Sequence, residues 1–236
     1  MLQLLIYHPI LMAAAVIPAA ALLVQIYRAD RLEREPARLL LSLLVWGVLA
    51  TVPAILGERI GGWLLGRIFR GEGQLRNALY CFIVVGGSEE GAKYLLLKRR
   101  TWNSPHFNCR FDGVVYAVFV SLGFALWENI GYVAMYGLRT ALLRAVTAIP
   151  GHACFGVFMG AWYGQAKAWE NRGNGEAGAR CRRRAFLLPA LLHGCYDTIA
   201  TSQDSGLSWI FIVFILLLFF YSFRTVRQLS RTDYEI

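Results

Sequence analysis

"VVGGSEEGAKYLLL" (Val84–Leu97) is the stretch whose reading decides the fold. Leu79–Val85 before it and Tyr94–Leu97 within it are almost wholly apolar, yet Glu89, Glu90 and Lys93 sit between them. Each ionised group near the centre of a membrane span costs about 2.5–3.5 kcal/mol on insertion scales, so such a trio needs partners and a purpose. On a helix, Lys93 reaches Glu89 at i,i+4 and Glu90 at i,i+3. Adjacent residues diverge by about 100° around the axis, so one glutamate can face a cavity while the other braces it. Gly87 and Gly91 form a GxxxG pair, which predicts close packing of this face against another helix.

The rest of the chain places the stretch in a membrane. Of 236 residues, 57% are hydrophobic and 17% charged, where soluble domains carry about a quarter charged. The apolar residues come in blocks of about 20, the length that crosses a bilayer core. The fold class is therefore all-α: a polytopic membrane helix bundle of about seven transmembrane helices, forming one integral-membrane domain over 1–236. The predicted spans are 4–27, 39–57, 77–97, 114–134, 146–169, 185–201 and 207–223. Segment 58–76 mixes Trp, Leu, Ile, Phe and Arg and reads as an interfacial helix. The Gly-rich, basic segment 170–184 reads as a mobile cytoplasmic loop. The first block follows "MLQ" without a basic leader and reads as a span rather than a cleaved signal.

With the N-terminus outside, inner segments hold 17 of the 24 lysines and arginines and outer segments hold 6. The positive-inside rule then puts the C-terminus in the cytoplasm, in a multi-pass protein of the cell (plasma or inner) membrane. The net charge of +9 is explained by this loop placement, and nucleic acid is not expected as a partner; the lipid bilayer is. Cys81, Cys154 and Cys195 fall in spans, Cys109 and Cys181 in loops, and there is no CxxC pair to suggest a zinc ribbon or redox motif.

Polar residues recur inside other spans: Glu128 and Asn129 in "GFALWENIGY", His152 in "IPGHACFGVFMGAWYG", His193 and Asp197 in "LLHGCYDTIA". His152 shares a stripe with Gly156, Gly160 and Gly164, which predicts that it faces a neighbouring helix. His193 and Asp197 are one turn apart, so the carboxylate can orient the imidazole. In "HAC" and "HGC" the Cys lies about 200° from the His, so the pairs are poor metal ligands. A structural role as buried ion pairs suits one such spot; four separate spans point to function.

Carboxylates and imidazoles in a membrane cavity suit hydrolysis, with Glu as general base and His donating to an oxyanion or ligating a metal. Zn²⁺ or another divalent ion would find ligands among His152, His193 and one of Glu89, Glu90 or Glu128; chemistry without a metal is the alternative. HExxH and GxSxG are absent. The competing class is an ion-coupled transporter using the same Glu, His and Asp groups. The lack of an internal repeat weighs against a carrier built from inverted halves.

Read in order, "EEGAK" (Glu89–Lys93), "FDGVVYAVFVSLGFALWEN" (Phe111–Asn129), "RAVTAIPGHACFGVFMG" (Arg144–Gly160) and "LLHGCYD" (Leu191–Asp197) resemble the PrsW family of intramembrane proteases, itself similar to the Abi/CAAX-protease group. The matching core is about 77–201. CAAX-type proteases carry Arg one residue later in the first motif and His where Glu128 stands, which favours the PrsW branch. The resemblance implies proteolysis of a single-span membrane protein, typically an anti-sigma factor, at the first cut of a regulated cascade. It implies Glu89, Glu90 and His193 as leading catalytic residues. Glu128 and His152 support them, and Asp197, Lys93 and Asn129 complete the set.

Overall fold

In the computed structural model, residues 9–71, 73–202 and 205–236 are described, and they are all-helical apart from one isolated bridge, Cys109 to Glu235. Residues 4–8 of the first predicted span lie outside the described residues. The elements are α1 (Pro9–Ala29), α2 (Ala37–Ile68), α3 (Gln74–Leu79), a π-helical segment Tyr80–Gly86, α4 (Gly87–Thr101), α5 (Asp112–Val146), α6 (Ala148–Asn171), α7 (Gly175–Ala200) and α8 (Ser205–Arg231). Among the described residues, four helical segments are long and apolar enough to cross a membrane: Pro9–Ala29, Ala37–Ile68, Asp112–Asn171 and Gly206–Arg231.

The burial pattern is that of a membrane bundle. The first half of α5, from Asp112 to Ala125, is buried on every side, in the middle of α1, α2, α4 and α6. The outer faces of α2 and α8 expose Leu41, Val45, Val52, Trp209, Leu216 and Phe220, which suits contact with lipid.

Small residues bring the helices close enough to join their polar groups. Gly160 of α6 lies against Gly113 and Val114 of α5, so that a Cβ there would collide with backbone. The predicted glycine stripe of α6 is thus the α5–α6 contact, and His152 follows on the same side. Backbone cannot yield as a side chain can, so Gly160→Val is expected to cost more than about 3 kcal/mol. The check is the thermal midpoint of the purified protein in detergent.

The GxxxG expectation for Gly87 and Gly91 needs correction. A Cβ at Gly91 would meet only the Phe186 ring at 3.5 Å, an ordinary contact. The tight approach is at Gly86, whose Cβ would fall 2.6 Å from the Ala190 carbonyl, and at Gly194, 2.7 Å from Phe82 Cα. The π-helical turn explains the shift, because its wider turn rotates the following residues around the axis. This contact sets Glu89 and Glu90 beside His193.

Two other expectations change. Segment 58–68 is not a separate interfacial helix but the continuation of α2, which runs through Pro53 to Ile68. Segment 170–184 is loop only at 172–174, where the Asn174 side chain accepts a hydrogen bond from the Ala177 N–H and caps α7. The outer segment between the predicted spans 114–134 and 146–169 is itself helical: α5 breaks at Gly137 (φ 76°, ψ −163°) and folds back as helix 138–146. The positive φ and open surroundings of Gly137 permit the reversal.

At the opposite end, the C-terminal segment docks on the loop before α5. The Arg110 N–H donates to the Tyr234 carbonyl, the Ile236 N–H to the Asn108 carbonyl, and the Phe111 N–H to Asp233. Asp30 and Glu35 lie buried nearby; burial, with repulsion from Asp233 at Asp30 and from Asp30 at Glu35, pushes them up to about 6 and about 7. Glu33 adds repulsion at both, while the Glu35 backbone and Arg34 relieve part of it at Asp30. A raised carboxyl pKa means that the folded junction binds protons more tightly than the unfolded chain. Its penalty is full above about pH 7 and is relieved as pH falls through 7 and 6. Hydrogen exchange at the Arg110 and Ile236 amides, corrected for intrinsic rates, is expected to slow over that fall.

Candidate active site

The motif residues converge around the Lys93 ammonium. Lys93 Nζ donates to Glu90 Oε1 at 2.7 Å and to Glu89 Oε2 at 3.2 Å, lies 3.1 Å from His152 Nδ1, and sits 4.0 Å over the Phe124 ring. Lys93 and Glu90 are wholly buried. Removing a charge from water costs several kcal/mol, and only close pairing such as this offsets it.

Each histidine is held at both ring nitrogens. His193 Nδ1 points inward, 2.9 Å from Glu90 Oε1, while its Nε2 faces Asp197 Oδ2 at 3.4 Å. His152 Nδ1 points inward to Lys93, while its Nε2 faces Glu128 Oε2 at 3.0 Å. At His152 the Glu128 carboxylate holds the proton on Nε2 and the Nδ1 lone pair accepts from Lys93, whereas at His193 carboxylates face both ring nitrogens and Nδ1 donates to the nearer one, Glu90. The rings lie 5.2 Å apart at 89°, and Phe155 stacks on His193 at 4.9 Å. Histidines that bind metals are usually oriented by an outer carboxylate in this manner.

Sequence reasoning missed two members. Arg144, counted among outer-loop charges, donates to Glu128 Oε2 at 2.9 Å and Asn129 Oδ1 at 3.0 Å. Residues 16 apart on a straight helix are about 24 Å apart, so only the reversal at Gly137 makes this contact. Its signal was present in the quoted "RAVTAIPGH". Glu58, assigned to the interfacial segment, faces the same cavity from α2. Asn129 does not line that cavity: its Nδ2 donates to the Ala15 carbonyl and ties α5 to α1.

The cavity has a volume of about 320 Å³ and is lined by Glu58, Glu89, Glu128, His152, His193 and Asp197 among others. Glu89 reaches this space; Glu90 lies behind it. One glutamate thus faces the cavity and the other braces it.

The donors fit a divalent cation. One ligand atom from each of Glu89, Glu90, His152 and His193 lies within 4.8 Å of the others. Of the three glutamates the sequence offered as ligands, Glu89 and Glu90 are in this group, while Glu128 holds the far side of His152. Glu90 Oε2 is buried without a hydrogen-bond partner. The carboxylates of Glu58, Glu89, Glu90, Glu128 and Asp197 also outnumber the fixed cations Lys93 and Arg144. All five cysteines are free, and none is in the group.

Comparison with known proteins agrees with this chemistry. The family model described as "PrsW family intramembrane metalloprotease" matches residues 35–223. The chain belongs to that family. It is 32% identical over 219 residues to "Protease PrsW" of Geobacillus kaustophilus, covering 92% of this chain and 91% of the relative. It is 30% identical over 226 residues to "Protease PrsW" of Bacillus subtilis (92% and 94% covered). It is 32% identical over 208 residues to "Protease PrsW" of Clostridioides difficile (86% and 84%). No solved structure matches the chain. The protein is thus a membrane-embedded peptidase, a hydrolase rather than an ion-coupled transporter.

Proposed function

We propose that this chain hydrolyses a peptide bond in a single-span membrane protein, an anti-sigma-factor-like regulator, near the extracytoplasmic end of the substrate's span. The observation that carries the reading is the placement of Glu89 and both histidines on one cavity, with Glu90 and Lys93 locked behind them.

In this reading Glu89 takes the proton from the attacking water, since it is the member of the glutamate pair that reaches the cavity. Glu90 fixes His193 and Lys93 through bonds of 2.9 and 2.7 Å. Asp197 and Glu128 hold the two imidazoles in register, and Arg144 holds Glu128. His152, His193 and Glu90 are the residues that would hold Zn²⁺ or another divalent ion, leaving Glu89 free to act. A bound cation supplies Lewis-acid polarisation of the scissile carbonyl and a more acidic water. Three protein ligands with an open position is the usual catalytic arrangement.

The topology in this reading has seven spans with the N-terminus outside and the C-terminus cytoplasmic, in the plasma or inner membrane. The cavity is then approached from the extracytoplasmic side, past Asn77, Arg144, Ala148 and Thr201. The test is co-expression with a doubly tagged single-span substrate, the cut mapped by mass spectrometry. A fragment ending in the outer third of the span, lost with His193→Ala, is the expected result. A cut on the cytoplasmic side, or one that persists in a folded His193→Ala protein, would sink the proposal.

A further inference from the structure

A second cavity, of about 700 Å³, opens between α6, α7 and α8, with walls separate from those of the catalytic cavity. Its chemistry changes along its length. Phe158 and Leu188 line one end, Trp162 and Arg184 the middle, and Trp169 and Arg180 the end nearest the α6–α7 turn. From Phe158 to Trp169 the helical rise gives a length of about 16 Å. Arg110 reaches the same space from the segment before α5.

The residues lining the cavity include three arginines and no carboxylate. The arginines are differently engaged. Arg180 pairs with Glu176 at 2.6 Å, where both are exposed. Arg184 lies over the Trp162 ring, 4.7 Å from its centroid. Arg110 Nε is buried without a hydrogen-bond partner, while its guanidinium stands 5.8 Å from the Tyr234 ring. Tryptophans favour the headgroup level of a bilayer, and Arg forks suit phosphate oxygens. A basic pocket between membrane helices, grading into an apolar one, matches a phosphate head with an acyl chain.

We propose that this cavity binds an anionic phospholipid, its phosphate against Arg110 and Arg184 and the start of one acyl chain along Phe158 and Leu188. The proposal rests on the chain being membrane-embedded and is independent of the roles assigned to Glu89, Glu90 and the histidines.

The experiment is native mass spectrometry of the full chain released from nanodiscs containing phosphatidylcholine and phosphatidylglycerol in equal amounts. The wild type is expected to retain phosphatidylglycerol selectively. Arg110→Gln with Arg184→Gln is expected to lower that selectivity about 30-fold, roughly fivefold for each guanidinium. Arg99→Gln with Arg224→Gln removes the same charge from exposed positions and is expected to keep it. If the double variant fails to fold, Arg184→Gln alone, at an exposed position, is expected to show the fivefold loss. Equal retention of both lipids by the wild type, an unchanged double variant, or an equal loss in the control overturns the proposal. So does displacement of the bound lipid by millimolar inorganic phosphate alone, which would make the occupant a free anion.

Discussion

Glu89→Gln is expected to leave the protein folded and to lower substrate cleavage by about 10³-fold, within the range for a general base. The amide keeps the size of the side chain and a hydrogen-bonding oxygen for Lys93, so the packing around α4 survives. What it loses is the ability to take a proton from water. Glu90→Gln is expected to differ in kind. Glu90 Oε1 accepts from Lys93 at 2.7 Å and meets His193 Nδ1 at 2.9 Å, within a wholly buried environment. The amide cannot balance the ammonium, so this variant loses thermal stability as well as cleavage. Single-turnover cleavage in proteoliposomes, paired with melting of the same preparations, separates the two. Equal loss of stability in both variants would contradict the division of roles between the glutamates.

Lys93→Met carries the largest expected effect on stability, about 3–5 kcal/mol, because it strands buried carboxylates without their cation. Methionine fits the volume and the apolar contact with Phe124, so the loss is electrostatic rather than steric. Adding Glu90→Gln to Lys93→Met is expected to restore part of it, since one stranded charge is removed with its partner. Thermal midpoints of the two single variants and the double variant form the cycle that measures this coupling. Additive losses would show that Lys93 and Glu90 do not act as a pair.

Local spacing made the Glu89–Lys93 and His193–Asp197 pairs legible in the sequence, because one turn of helix fixes both. The stripe through Gly156, Gly160 and Gly164 was legible for the same reason and placed His152 on the packed face. What escaped depends on tertiary structure. Arg144 joins Glu128 only because α5 reverses at Gly137, and a lone glycine in an apolar run does not announce a reversal. The π-helical turn before Gly87 moved the close contact to Gly86 and Gly194, a shift that 3.6-residue periodicity does not contain. Composition misled at 170–184, where Gly and Arg suggested a loop but the Asn174 cap starts α7 at Gly175. Glu58 followed an apolar run and looked like its end, while α2 continues for ten further residues to Ile68.

Metal content and cleavage, measured on one purified sample before and after treatment with a chelator, bear most directly on the joint work of Glu89, Glu90, His152 and His193. The expected result is about one equivalent of a divalent metal per chain, with metal and cleavage lost together and restored together on adding the ion back. Full cleavage by protein stripped of metal would contradict it.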